Sequence, residues 1–285
     1  MRVASAAGPD VGDRCCRYLA DSHYENFLVT SLLVPPRLRS HLRRLYAFCR
    51  VTDDLGDESG AVASIRLERW RDDLARCFGD SAGPLHPVLV ALAGTIAEHH
   101  LPREPFFDLV EANLQDQRVT WYESWPQLRA YCQLSAAPVG QLVLRLFGHS
   151  SPALDRLSDD VCVGLQLANF AQDVSVDRAK GRSYLPQTDL RALGVAGAVR
   201  ATCQRAHELL ESGRLLEALV GGRLGLQLSL YRLGGEAILR AIAAIDYQTA
   251  ERRPRVSAAA KLALLARAGA HVLRRSSDVG ARQTA

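Results

Sequence analysis

Two stretches of this chain carry acids at a spacing suited to a charged ligand. In residues 46–57, YAFCRVTDDLGD, positions three or four apart share a helix face, so Tyr46, Arg50, Asp53 and Asp57 fall in one line. In residues 169–177, NFAQDVSVD, Asn169, Asp173 and Asp177 recur every four residues and Lys180 continues the line. Like charges at this spacing destabilise an isolated helix by roughly 0.2–0.5 kcal/mol per pair, so both lines act against local stability unless something neutralises them. A hard divalent cation such as Mg2+ would do so, since it takes oxygen ligands and is usually held by one or two carboxylates together with water and substrate phosphates. Two acidic faces could then hold a diphosphate through metal bridges. The plainer alternative is two solvated helix faces.

The elements that must position these residues read as helices throughout. A first helix is expected over 10–23. Pro35 and Pro36 then break and restart the helical pattern, because proline is tolerated in a first turn. In the helix that follows, Leu38, Leu42, Leu45 and Cys49 form the expected buried stripe beside the acidic line, and Gly56 and Gly60 weaken its end. Further helices are expected over 63–78, 86–99 and 102–119, the last with polar positions Asp108, Glu111, Asn113, Gln115 and Asp116. His99 and His100 point in different directions on a helix, so they read as surface histidines and not as a shared metal site.

Residues 125–147 are slim at Ser135, Ala136, Ala137 and Gly140, and Pro138 predicts a kink or break. That stretch is either a cavity wall, with Tyr131 offering a hydroxyl or an aromatic face, or a close helix contact through small residues. The second acidic helix is expected over 153–178, with Val161, Leu165, Ala168 and Phe170 turned inward. Lys180 and Arg182 follow it, placed either to meet a diphosphate or to pair with the helix C-terminal dipole. Helices over 195–219, 223–246 and 257–274 complete an all-α reading. The glycines between Gly221 and Gly225 follow a helix and not a strand, so they are no dinucleotide fingerprint.

Whole-chain properties set outer limits. At 285 residues, 48% hydrophobic and 23% charged, the chain can bury a sizeable core and is no disordered polymer. No apolar run reaches the roughly 18–20 residues of a membrane span, and the N-terminus lacks a secretory apolar core. The net charge of +4 is spread along the chain, which suits an anionic substrate or a peripheral membrane contact better than nucleic acid. Seven cysteines without CxxC spacing read as buried or free thiols of a reducing cytoplasm.

With these motifs in view, the sequence resembles the squalene/phytoene synthase family, the head-to-head prenyl-coupling enzymes on the all-α isoprenoid synthase fold. The likeness runs over residues 23–246 and rests most on YAFCRVTDDLGDE, YCQLSAAPVG and LANFAQDVSVDRAKGRSYLP, in that order. It implies a single domain over 10–274, a bundle of about ten helices around a central apolar cavity, with loose ends at 1–9 and 275–285. It implies Mg2+, or Mn2+ in its place, on Asp53, Asp54 and Asp57 and on Asp173 and Asp177. Arg50, Lys180 and Arg182 are expected on the diphosphate, and Tyr46, Arg50, Tyr131 and Asn169 in the reaction site. Phe27, Phe48, Ala136, Ala137, Pro138 and Gly140 are expected to line the apolar cavity.

Within the family, HYENFLVTSLLVP and QDVSVDRAKGRSYLP look most like the hydroxysqualene-forming branch of the bacterial hopanoid pathway. That branch implies ionisation of presqualene diphosphate, rearrangement of the cation and capture by water, without NADPH. The implied partners are a prenyl diphosphate, a peripheral membrane contact and neighbouring hopanoid-pathway enzymes, and the implied location is the cytoplasm. Gln172 departs from the pattern, since many phytoene and presqualene diphosphate synthases carry arginine just before the corresponding aspartate. Two alternatives stay open. One is coupling of farnesyl or geranylgeranyl diphosphates to presqualene diphosphate, squalene or phytoene. The other is a non-catalytic helical protein that binds a prenyl lipid.

Overall fold

The computed structural model describes residues 9–22, 33–79 and 83–256. The expected N-terminal tail, the segment holding Phe27, and the expected helix over 257–274 with the tail after it lie outside the described residues, apart from Pro9. Among the described residues the chain is all-α, with one isolated bridge between Trp121 and Ser183. The helices are α1 (Pro9–Ser22), α2 (Arg39–Asp57), α3 (Ala63–Ala75), α4 (Pro87–His99), α5 (Glu104–Gln115), α6 (Trp125–Ser135), α7 (Ala137–Leu146), α8 (Pro152–Gln172), α9 (Val174–Ala179), α10 (Gln187–Val220, kinked at Gly194, where φ is 67°) and α11 (Gly222–Ala243).

Backbone contacts divide the chain into two compact units. The first comprises Met1–Thr120 and Ala130–Asp155, and the second comprises Trp121–Arg129 and Arg156–Ala285.

The first unit is built on α2. Pro35, with ψ at 137°, admits a 3-10 turn over Pro36–Leu38 that feeds directly into α2, as a proline-led first turn should. The buried face of α2 is His41, Leu45, Phe48 and Thr52, not the stripe expected from leucine spacing. Leu38 and Leu45 are buried, but Leu42 and Cys49 only partly so. Aromatic packing decides the rotation. The Phe48 ring stacks on Trp70 of α3 at 5.9 Å and meets Phe106 of α5 edge-on at 5.3 Å. Trp70 Nε1 donates to Thr52 Oγ1 at 2.9 Å, and that hydroxyl donates to the Phe48 carbonyl at 2.8 Å, so the buried polar atoms in this face are satisfied.

Helices α1 and α4 pack on α2, and Arg44 ties α1 to α2 through a two-pronged contact with Asp13, at 2.7 and 3.0 Å. Helix α4 ends at His100, whose left-handed backbone (φ 48°) closes the helix. The expectation of two surface histidines holds for His100 alone. His99 is half-buried and its Nε2 is enclosed, because its ring lies 4.5 Å from that of His41.

The expected kink near Pro138 is a full break. The backbone turns at Ala136 (φ −122°), and Pro138 occupies the first turn of α7, where its missing N–H leaves no bond unmade.

In the second unit α10 and α11 form an antiparallel pair with a buried ion pair between them, Arg232 Nε donating to Glu217 Oε1 at 2.6 Å. The approach of α8 to α10 requires Gly213, since a Cβ there would lie 2.6 Å from a Val161 methyl carbon. The single acidic helix expected over 153–178 is two, α8 and α9, separated at Asp173 (φ −100°, ψ 16°). The spacing of four survives, because the Asp173 N–H still bonds the Asn169 carbonyl and the Asp177 N–H the Asp173 carbonyl, each at 2.9 Å.

Candidate active site

The first acidic line occupies the C-terminal half of α2. Asp53 is exposed at the surface, yet the protein atoms packed around its carboxyl desolvate it and push its pKa up to about 6, with the Asp57 charge adding to the rise. The Asn113 hydrogen bond acts the other way: Nδ2 of this α5 residue donates to Asp53 Oδ1 at 3.3 Å. Gln117, just beyond α5, donates through Nε2 to the Gly56 carbonyl at 3.2 Å and to the Asn113 carbonyl at 3.0 Å. Gly56 permits this closeness, because a Cβ there would sit 2.5 Å from Asn113 Oδ1. Asn113 and Gln117 therefore hold the acidic face from the side. In the sequence Asn113 was visible as one polar position of its helix, and the four-residue step to Gln117 was the signal that it belongs to a polar face.

Arg50 lies beside the acids. Its Nη2 meets Asp54 Oδ1 at 2.6 Å and Glu58 Oε1 at 3.8 Å, whereas its Nε is buried without a hydrogen-bond partner. A buried guanidinium N–H left unmade is costly, and an anionic oxygen is the natural group to complete it. Tyr46, one turn earlier, is half-buried, and burial raises its hydroxyl above the ordinary range. Tyr131, on α6, is buried and donates to Asp116 Oδ2 at 2.7 Å.

The small residues after it are placed differently from one another. Ala136, Ala137 and Pro138 are buried at the helix break, and Gly140 is half-buried. Phe48 is wholly enclosed in the aromatic core with Trp70 and Phe106.

The second acidic line crosses from α8 to α9. Asn169 is exposed, Asp173 and Asp177 are half-buried, Lys180 is exposed, and Arg182 is half-buried. A left-handed turn at Gly181 (φ 73°) brings the Arg182 N–H to the Asp177 carbonyl at 2.9 Å. Asp177, Arg178 and Arg182 border a small cleft with Phe170, Tyr184 and Leu185. Its aromatic part is rigid, since the Phe170 and Tyr184 rings lie parallel at 4.0 Å and Tyr122 stacks on Tyr184 at 6.1 Å.

Two further residues bear on this line: Gln172, which the sequence marks as a departure from the family pattern, and Arg253, which it does not single out. Arg253 binds Asp173 through Nε and Nη2, and Gln172 Nε2 donates to the Pro254 carbonyl at 2.8 Å. The signal for Arg253 was the basic run ERRPR, which has no partner nearby in sequence.

The donor set fits Mg2+ shared with a substrate. Three-residue groups with all donor atoms within 4.8 Å occur among the described residues only at His41/Glu98/His99 and His207/Glu211/Glu236. Neither aspartate line forms such a cage. Each offers one or two carboxylates next to cations, the arrangement in which Mg2+ relies on water and phosphate for its other ligands.

A profile described as squalene/phytoene synthase matches residues 20–260 of this chain. A hydroxysqualene synthase of Rhodopseudomonas palustris is 32% identical over 238 residues, covering 78% of this chain and 80% of that protein. Phytoene synthase 3 of Zea mays is 32% identical over 192 residues, and the chain spans 43% of that protein's length. The crystal structure of squalene synthase HpnC from Alicyclobacillus acidocaldarius superposes with a TM-score of 0.78 at 44% identity, over 85% of this chain and 97% of that one.

Proposed function

The chain belongs to the squalene/phytoene synthase family, and from that premise we propose that it is a hydroxysqualene synthase. It would convert presqualene diphosphate and water into hydroxysqualene and diphosphate. The observation that carries the diphosphate chemistry is Arg50: a half-buried guanidinium whose enclosed Nε has no hydrogen-bond partner, set among carboxylates that suit Mg2+. The likeness to the Rhodopseudomonas enzyme supports the choice of branch.

Mg2+, held through Asp53 and Asp57 and through Asp173 and Asp177, would supply positive charge to the leaving diphosphate. Arg50, Lys180 and Arg182 add cationic donors for the oxygens on which charge develops, the usual main source of stabilisation in such a step. As the carbon–oxygen bond breaks, its electron pair leaves with the diphosphate and a cyclopropylcarbinyl cation remains. Tyr46 and Tyr131 offer aromatic faces to that cation, worth on the order of 1–2 kcal/mol where water is excluded. After rearrangement, the oxygen of a water molecule forms the new carbon–oxygen bond and releases one proton. Ala136, Ala137, Pro138 and Gly140 give room for the prenyl chains in this reading.

No helix among the described residues is long and apolar enough to cross a membrane.

The test is incubation with Mg2+ and, separately, presqualene, farnesyl and geranylgeranyl diphosphates in water labelled with oxygen-18, with mass spectrometry of the products. Labelled hydroxysqualene from presqualene diphosphate is expected, with no need for NADPH. The match to a phytoene synthase favours one alternative, coupling of two diphosphates, and phytoene or presqualene diphosphate as the product would replace our reading with it. Absence of diphosphate release from every substrate would point to a prenyl-lipid-binding protein instead.

A further inference from the structure

Apart from the aspartate lines, the first unit brings together three side chains with metal-ligand chemistry. His41 projects from the first turn of α2, and Glu98 and His99 from the last turn of α4. Glu98 Oε1 lies 3.6 Å from His41 Nε2 and 4.0 Å from His99 Nε2, and all three donor atoms fall within 4.8 Å of one another. Ligands on a tetrahedral Zn2+ at 2.0–2.2 Å stand about 3.3–3.6 Å apart, so the two edges at Glu98 need at most about 0.7 Å of closure and the edge between the histidines at most about 1.5 Å. Glu98 can adjust its own two edges, its side chain being 64% accessible.

Two details separate this group from an ordinary histidine contact. His99 Nε2 is buried and has no hydrogen-bond partner, and enclosed polar atoms are rarely left so. His41 is already oriented by its other nitrogen. Nδ1 lies 3.0 Å from Thr95 Oγ1, a buried hydroxyl that also accepts from Arg44 Nη1 at 3.1 Å. A hydroxyl oxygen has two acceptor positions, so it can take both donors. The Nδ1–H would then point to Thr95, leaving the Nε2 lone pair towards Glu98 and His99. This is how a ligating histidine is normally held from behind. The nearby Arg44 charge is balanced by Asp13, which takes two of its nitrogens.

We propose that His41, Glu98 and His99 form a binding site for a borderline divalent cation, Zn2+ above all, with water as the fourth ligand. Two imidazoles and one carboxylate suit Zn2+, whereas Mg2+ prefers oxygen ligands throughout, so this site and the aspartate lines select different ions. His41 precedes Asp53 by twelve positions on one helix, a separation of about 18 Å along the axis, so the two ions would not share ligands. The cation would staple α2 to α4.

The test uses the full chain, freed of metal with chelator and titrated with Co2+ and with Zn2+ alone. Wild-type protein is expected to develop the visible bands of four-coordinate Co2+ at one equivalent, to lose them on addition of Zn2+, and to melt at a higher temperature with Zn2+ present. Glu98→Gln and His99→Ala, both at a helix end, should each weaken Zn2+ binding by about a hundredfold or more, the range seen when even a ligand's supporting group is lost. Thr95→Val should weaken it by about tenfold. Asp53→Asn should leave it unchanged. Bands that persist in Glu98→Gln and His99→Ala, as they would if cysteines held the ion, would overturn the proposal, and so would their absence from folded wild-type protein.

Discussion

Arg253 grips Asp173 from 80 residues further along the chain, its Nη2 donating to Oδ2 at 3.1 Å and its Nε to the other carboxylate oxygen. Gln172, where many phytoene and presqualene diphosphate synthases carry arginine, donates to the carbonyl of the very next residue, Pro254. A cation thus reaches Asp173 from a later segment, and Gln172 ties that segment in place. Ser175 N–H adds a third tie, to the Thr249 carbonyl at 3.2 Å.

Replacing Arg253 with methionine should therefore affect chemistry more than folding. The pair is partly exposed, so its removal should alter stability by no more than about 1 kcal/mol. We expect kcat/KM to fall at least about tenfold, with a changed Mg2+ requirement, because Asp173 loses the partner that orients it. Steady-state kinetics across Mg2+ concentrations check this, and wild-type turnover with an unaltered Mg2+ curve would refute it.

Asp53→Asn and Asp173→Asn should each abolish nearly all turnover while leaving the protein folded. For Asp53 the sign of the stability change follows from its raised pKa of about 6. A carboxyl raised from its ordinary value near 4 favours folding while protonated, and that contribution is lost as pH rises from about 4 through 6. In metal-free buffer at pH 7.5, Asp53→Asn should melt at or above the wild-type temperature, and the gap should close towards pH 4. Melting curves across that range provide the measurement, and a variant clearly less stable at pH 7.5 would contradict it.

Gly56→Ala tests how the acidic face is held. The added methyl would meet Asn113 Oδ1 at 2.5 Å and force that amide to turn away from Asp53. Overpacking costs about 1–3 kcal/mol, offset in part by the roughly 0.5–1 kcal/mol that alanine gains over glycine within a helix. Turnover should fall about tenfold to a hundredfold, since small misplacements at a reacting site are expensive. Equal activity in a variant with normal melting would show that the Asn113 contact is dispensable.

His86 gives a pH dependence outside the site. Its Nδ1 accepts the Val88 N–H at 3.3 Å and caps α4, and burial holds its pKa below the ordinary value. A lowered histidine contributes stability that is complete above about 6.5 and is lost as pH falls below it, because the unfolded chain takes up the proton first. Asparagine caps helices without titrating, so His86→Asn should flatten the decline in melting temperature between pH 7 and 5.5. Identical slopes for the two proteins would rule this role out.

Much of the architecture was legible because helical periodicity and proline are local signals. The restart after Pro35, the break before Pro138 and both acidic lines could be read from neighbours within a turn or two. The rotation of α2 could not. Phe48 faces inward because Trp70 and Phe106 are there to receive it, and those contacts lie 22 and 58 positions away. The same limit hid the Asn113 hold on Asp53, the Arg253 hold on Asp173 and the enclosure of His99. Each depends on a partner that spacing along one helix cannot reveal.

The cysteines give the molecule an internal clock. None of the seven is in a disulfide, and burial pushes the thiols of Cys16, Cys77, Cys132 and Cys203 up to about 12 and raises that of Cys49 as well. The thiolate is the reactive species, so at neutral pH these groups are almost silent towards alkylating reagents and mild oxidants while the helices stay closed. Cys16, Cys132 and Cys203, which are buried, become reactive when their surroundings open. Because Cys16 and Cys132 sit in the first unit and Cys203 in the second, the order in which they are modified would report which unit opens first, with no label added to the chain.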